Sequence, residues 1–316
     1  MEYNALGRSG LKVSIVGLGG NNFGRRCDEE QTAAVVHRAM DLGITLFDTA
    51  DVYGERGRSE EYVGKALKGV RREAIIATKI AGEMGEGPLW RGGSRRYIYD
   101  AVTESLRRLG TDYIDLLQMH FPDPSTPIEE TMRALDDLVR GGVVRYIGCS
   151  NYSAAQVVEA QWAARAEHLS PFISAQNQYN LLNRGIESEL VPVCERYGLG
   201  IIPYFPLASG FLTGKYSPGE PGPKGARLSG NSPFAASVLT ERNFAMLEGL
   251  AKFAQEQGHS MTDLAIGWLV SQPAVNCVIA GATQPEQVEA NVRAAEWKLS
   301  ADEKARLAKL MDEGAD

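Results

Sequence analysis

Asp48, Tyr53, Lys79 and His120 are the residues whose types could do chemistry together, and three of them close short apolar runs. Leu46-Phe47 leads into Asp48, Ala74 to Thr78 into Lys79 and Ile114 to Met119 into His120, while Tyr53 follows Asp48 by one short turn. In parallel α/β folds the carboxyl ends of the strands open into the crevice where ligands bind, so all four would face it. A tyrosine with a pKa of about 10 is a poor acid at neutral pH and becomes a useful one when a cation favours its phenolate. Lys79 would be that cation and Asp48 the carboxylate that holds it, which predicts a Tyr53 pKa lowered toward working pH. Singly, each residue has an ordinary structural reading: a helix cap, a loop aromatic, a solvating charge, a satisfied core histidine. Together they suit delivery of a proton to an oxygen on which negative charge grows.

The elements that must position them follow from periodicity and caps. Tyr3 to Val13 reads as a hairpin turning at Gly7-Arg8-Ser9-Gly10, and Ile15 to Gly20 as a first buried strand. The run Gly17-Leu18-Gly19-Gly20-Asn21-Asn22 fails as a dinucleotide fingerprint, because Asn22 stands at the third glycine position and no helix opens at once. Asp28 with Gln31, Thr126 with Glu129, Ser153 with Gln156, Thr283 with Glu286 and Ser300 with Glu303 are candidate capping boxes. Further strands are read at 144–148, ending at Ser150-Asn151, at 172–175, ending at Gln176, at 200–203, ending at Tyr204, and at 277–280. The Gly-rich segment Ala81 to Gly93 and the Pro/Gly-rich stretch Pro206 to Pro233 are too long for plain connections and suit loops that shape access. Eight strand-like runs, each followed by helical pattern, predict a (β/α)8 TIM barrel with an N-terminal hairpin and an extra C-terminal helix, one domain over 1–316. The alternative, a doubly wound sheet, could not aim groups from the ends of strands two to eight at one point.

Composition bounds the function. A hydrophobic fraction of 44% with 23% charged residues is that of a globular protein, and a net charge of −7 argues against nucleic acid or an anionic membrane as partner. No signal-like or membrane-spanning apolar run is present, so a cytoplasmic location is expected. Cys27, Cys149, Cys194 and Cys277 show no C-x-x-C pairing, so neither zinc nor a disulfide framework is expected.

The blocks FDTADVYG, HFPD with TPIEETMRALDDLV behind it, and VRYIGCSN, in that order, resemble the signatures of the aldo-keto reductases, and the likeness covers almost the whole chain. The resemblance implies that Asp48, Tyr53, Lys79 and His120 are a catalytic tetrad, with Tyr53 the proton donor and His120 orienting the substrate oxygen. Because no side chain here does redox chemistry unaided, a hydride carrier is required. The resemblance implies that Ser150, Asn151 and Gln176 hold its carboxamide and that Tyr204 stacks on its nicotinamide. It further implies that Phe205, Pro206, Leu207, Ser209, Gly210 and Lys215 wrap the pyrophosphate, and that Gly281, Thr283, Gln287 and Asn291 meet the adenosine end. Gly20, Asn21 and Asp48 complete the expected cofactor set.

One departure from the family pattern concerns the coenzyme. Many aldo-keto reductases place Lys-Ser after strand eight and an Arg a few residues later to hold the 2′-phosphate of NADP(H), where this chain has Gly281, Ala282 and Gln287. A helix N-terminus opened by Thr283, with Arg227 and Lys215, is the expected substitute. NADP(H) is therefore preferred, with NAD(H) allowed. The expected reaction is reduction of an aldehyde or ketone, small carbonyl or sugar. A sugar or alcohol dehydrogenase running in reverse, or a binding protein like the potassium-channel β subunits, are the alternatives. Self-association is left open.

Overall fold

The computed structural model describes residues 1–220, 222–230 and 232–313, so Pro221 and Asn231 of the long Pro/Gly-rich stretch lie outside the described residues. Strands β1 (Tyr3–Ala5) and β2 (Lys12–Ser14) form the expected antiparallel hairpin. Eight parallel strands follow: β3 (Val16–Gly19), β4 (Leu46–Asp48), β5 (Ile75–Ile80), β6 (Ile114–Met119), β7 (Val144–Ser150), β8 (Ser174–Gln176), β9 (Gly200–Ile201) and β10 (Val278–Gly281). Their order is β10-β3-β4-β5-β6-β7-β8-β9. The ring closes where Ile201 bridges Val275 and the Ile279 N–H donates to the Pro203 carbonyl at 3.1 Å. This is the (β/α)8 barrel expected from the sequence.

Strand alternation aims the site. Side chains two apart on a strand share a face. Leu46, Ala77, Leu116, Ile202, Cys277 and Ile279 pack together as one fully buried cluster, which Leu6 and Val13 of the hairpin cap at the N-terminal end. Two residues further on from Leu46, Ala77, Leu116 and Ile202 stand Asp48, Lys79, Gln118 and Tyr204. Polar chemistry thus occupies the next inward layer, at the C-terminal mouth. The larger apolar cluster lies between the barrel and its surrounding helices.

Local caps form where both partners are near in sequence and otherwise unclaimed. Asp28 with Gln31 and Ser153 with Gln156 make full capping boxes, and Ser300 with Glu303 exchanges both bonds before the C-terminal helix Ala301–Glu313. Two expected boxes do not form. Thr126 gives its hydroxyl to Asp123 Oδ2 at 2.8 Å, and the helix Ile128–Arg140 starts at Pro127 without a side-chain cap. Thr283 donates its N–H and hydroxyl to Gln287 Oε1 at 2.8 and 3.3 Å, and the next helix opens at Pro285 instead. All four cysteines are buried free thiols. Among the described residues no cluster of three or more potential metal ligands exists, and no helix is long and apolar enough to cross a membrane.

Candidate active site

Lys79 is wholly buried on β5, and its ammonium donates to Asp48 Oδ2 at 2.6 Å and to the Thr49 carbonyl at 2.9 Å. It stands 3.5 Å from the Tyr53 hydroxyl and 4.8 Å from that ring's centroid. Asp48 Oδ1 accepts from Gln176 Nε2 at 2.8 Å and Gln118 Nε2 at 3.3 Å, so both carboxylate oxygens are bonded. Buried charges persist only when paired and hydrogen-bonded in this way. Gln118, in register with Lys79, was not expected from sequence, and the inward alternation of β6 is the signal that would have found it.

Tyr53 reaches this pair through an unusual turn. Gly54, Glu55, Arg56 and Gly57 all have positive φ, at 65°, 62°, 68° and 111°, before regular helix resumes. The φ of Gly57 favours glycine, and an added Cβ would lie 2.3 Å from Arg108 Cδ, so that side chain would also have to move. His120 meets Tyr53 edge-on at 5.6 Å and lies flat against Phe121 at 4.4 Å. Burial, and then the Lys79 charge, push the His120 pKa down to about 3, so its imidazole is neutral and carries one N–H. Its Nδ1 is buried without a hydrogen-bond partner.

The expectation of a lowered Tyr53 pKa is corrected. Burial raises it, and although Lys79 pulls it down, Asp48 raises it again and the net direction is upward. The physical reason is burial, which disfavours a phenolate more than the Lys79 charge favours one, with Asp48 adding to the upward push. For Lys79 itself, burial opposes the charge, but Asp48 and Tyr53 hold its pKa above normal.

These groups open on a cleft of about 570 Å³. Asn21, Asp48, Tyr53, His120, Ser150, Asn151, Gln176, Tyr204, Phe205, Pro206, Leu207, Ser209, Gly210, Lys215, Arg227, Gly281, Thr283, Gln287 and Asn291 all line it. Lys79 stands behind Tyr53. Gly20 is absent from the lining; its N–H bonds the Asp48 carbonyl at 2.7 Å and its carbonyl accepts from Ser59, so it braces the wall. The polar residues on the floor hold one another: Asn151 Nδ2 donates to the His120 carbonyl at 2.9 Å, and the Tyr204 hydroxyl donates to Asn151 Oδ1 at 2.8 Å. Asn151, Phe205, Ala208 and Ser209 adopt positive φ, a conformation that non-glycine residues take at some cost and that clusters at working sites.

One end of the cleft is cationic. Arg26 lines it with Lys215 and Arg227, and no carboxylate among the described residues forms an ion pair with any of the three. Burial, and then repulsion from Arg26, lower the pKa of both Arg227 and Lys215. Cations gathered without counter-ions fit an anionic group. Arg227 also donates to Asn22 at 3.4 Å and lies 5.2 Å from the centre of the Phe205 ring, while Arg26 donates to the Gly225 carbonyl. A buried Asn21 Oδ1 without a partner adds an acceptor on the wall. The chain therefore fits a phosphate-bearing, elongated cofactor. Arg26 was missed from sequence, being a single basic residue in a loop without a motif. The expected anion contact at Thr283 is weakened, because its N–H is already given to Gln287.

The closed parallel barrel thus gathers an acid, a phenol, an amine and an imidazole at its C-terminal mouth. The chain belongs to the aldo/keto reductase family, whose model matches residues 15–312. Aldo/keto reductases generally use nicotinamide coenzymes. The chain is 39% identical over 300 residues to a probable voltage-gated potassium channel subunit beta of Oryza sativa subsp. japonica, covering 93% of this chain and 91% of that protein. It is 39% identical over 303 residues to the L-glyceraldehyde 3-phosphate reductase of Escherichia coli K12, covering 93% and 87%. It is 35% identical over 319 residues to the aldo-keto reductase YhdN of Bacillus subtilis, covering 99% and 94%.

Proposed function

We propose that this protein reduces an aldehyde or ketone to an alcohol, with Tyr53 as proton donor and NADP(H) as the preferred coenzyme. The observation that carries the reading is the Tyr53 hydroxyl at the cleft, 3.5 Å from a buried Lys79 ammonium and edge-on to a neutral His120. A bound reduced nicotinamide supplies the hydride. Ser150, Asn151, Gln176 and Tyr204 would hold its ring end, while Lys215, Arg227 and Arg26 would hold its phosphates. As negative charge grows on the substrate oxygen, Tyr53 gives it a proton and the His120 N–H donates a second hydrogen bond. Lys79 then stabilises the phenolate left behind. A raised Tyr53 pKa serves this direction, since it keeps the phenol protonated at neutral pH.

The likeness to a channel β subunit supports a second reading, in which the barrel and coenzyme site serve a binding role. One measurement tests the coenzyme preference and a second separates the readings. Fluorescence titration is expected to show NADPH binding more tightly than NADH, and turnover of a panel of aldehydes, ketoses and alcohols is expected to show reduction. One charge-assisted contact is worth about 1.5–3 kcal/mol, so Arg227→Ala and Arg26→Ala should each weaken NADPH binding about tenfold or more and NADH binding less. Equal affinity for both coenzymes would remove the NADP(H) preference, and coenzyme binding without any turnover would favour the binding role.

A further inference from the structure

Behind the catalytic turn the buried charges can be counted. Lys79 pairs with Asp48 at 2.6 Å, and Arg108 pairs with Glu60 at 2.7 Å, with Thr78 also donating to Glu60 at 2.5 Å. Asp51 is the acid left over. It is fully buried, and neither of its oxygens is in a well-formed hydrogen bond. An ionised carboxylate in that place would be unpaired and close to the charge of Glu60, and burying an isolated charge is prohibitive.

The neighbouring Tyr97 explains what a neutral acid does there. Its hydroxyl gives its single hydrogen to the Gly82 carbonyl at 3.0 Å, and the Asp51 carboxyl lies beside the same glycine, its Oδ1 3.6 Å from where a Cβ on Gly82 would stand. At Tyr97 a carboxylate would therefore meet only a lone pair. A carboxylic acid can donate to it.

We propose that Asp51 is a positioning residue kept as a neutral carboxylic acid, donating to Tyr97 and so tying the turn that carries Tyr53 to the loop Ala81–Gly93. Two structural facts show what the tie controls. The Asp51 N–H bonds the Lys79 carbonyl at 3.0 Å, so the same residue also fastens the end of β5. Gly82 follows Ala81, which is held at a φ of 87°, a strained exit from that strand. The groups facing Asp51 agree with this protonation state: burial, and then Glu60, hold its pKa well above the carboxylate range, against Arg108, the Val52 amide and Lys79.

The test uses Asp51→Asn, which keeps a neutral donor, and Asp51→Leu, which does not. In the infrared difference spectrum at neutral pH, wild type minus Asp51→Asn is expected to show the C=O stretch of a protonated carboxyl. Only carboxylate bands in that difference would overturn the proposal. Thermal stability against pH gives a second reading that needs no activity. Above about pH 4 the unfolded Asp51 ionises while the folded one does not, so the Asn variant should gain on wild type as pH rises from there. A gap independent of pH would contradict it. The kinetic arm rests on the proposed reductase reading: Asp51→Asn should keep kcat within about threefold of wild type. Asp51→Leu should lower kcat about tenfold or more through misplacement of Tyr53. An Asn variant as slow as the Leu variant would mean that a charge, not a donated hydrogen bond, is what matters. If no carbonyl is turned over at all, the reductase reading fails, and the infrared and stability results still decide the state of Asp51.

Discussion

Lys79 stands behind Tyr53 and out of the cleft, its ammonium wholly buried 3.5 Å from the phenol oxygen and bonded to Asp48 at 2.6 Å. One cation thus serves two partners: it is neutralised by the carboxylate and still close enough to stabilise a phenolate at the moment one forms.

Removing Lys79 should cost stability as well as activity. Lys79→Met leaves Asp48 buried without a counter-ion, and breaking a buried pair from one side costs about 3–5 kcal/mol. Adding Asp48→Asn should recover much of that stability while leaving turnover absent. Urea denaturation of the two single variants and the double variant checks this; a Lys79→Met protein as stable as wild type would contradict the pairing.

His120 should make the fold acid-sensitive. Its folded pKa, near 3, lies below the unfolded value of about 6.5. The stability tied to its neutral form is complete above pH 6.5 and is lost as pH falls toward 3, because the unfolded chain takes up a proton that the folded one refuses. Melting temperatures of wild type and His120→Gln should therefore converge, or cross, as pH is lowered through that window. Parallel curves would show that His120 is not buried as described.

Asp123 should hold the loop before the helix Arg95–Leu109. It accepts from Gly93 N–H at 2.7 Å, from the Thr126 hydroxyl at 2.8 Å and from Ser125 at 2.6 Å. Burial works against its charge, but these bonds win and hold its pKa down to about 2, so the anchor is present at neutral pH and lost only in strong acid. With Asp123→Ala, trypsin should cut after the exposed Arg91 about tenfold faster, the effect of losing one bond to a charged group. Unchanged cleavage would mean that the loop is held elsewhere.

The barrel and the gathering of Asp48, Tyr53, Lys79 and His120 are legible in the sequence because both depend on local pattern: apolar runs with a polar residue at the exit, and caps three residues apart. The failures have a common cause in competition. Thr126 and Thr283 have good capping sequences, but Asp123 and Gln287 claim their hydroxyls. The direction of the Tyr53 pKa depends on burial and on how fully Asp48 satisfies Lys79, neither of which spacing reveals. Asp51 sits in the block FDTADVYG beside Asp48, and nothing in its type distinguishes a neutral buried acid from an exposed loop carboxylate. Its proposed state follows from burial first and then from the Glu60 charge, which together outweigh Arg108, and none of these is visible in the block itself.

The most direct measurement of the central claim is the single-turnover reduction rate of Tyr53→Phe with NADPH already bound and an aldehyde substrate. The phenol acts on the substrate oxygen and lies outside the cationic end of the cleft. The rate should therefore fall about 10²-fold or more while NADPH affinity stays nearly unchanged. A variant that keeps more than about a tenth of the wild-type rate, with the chemical step limiting, would show that Tyr53 is not the proton donor.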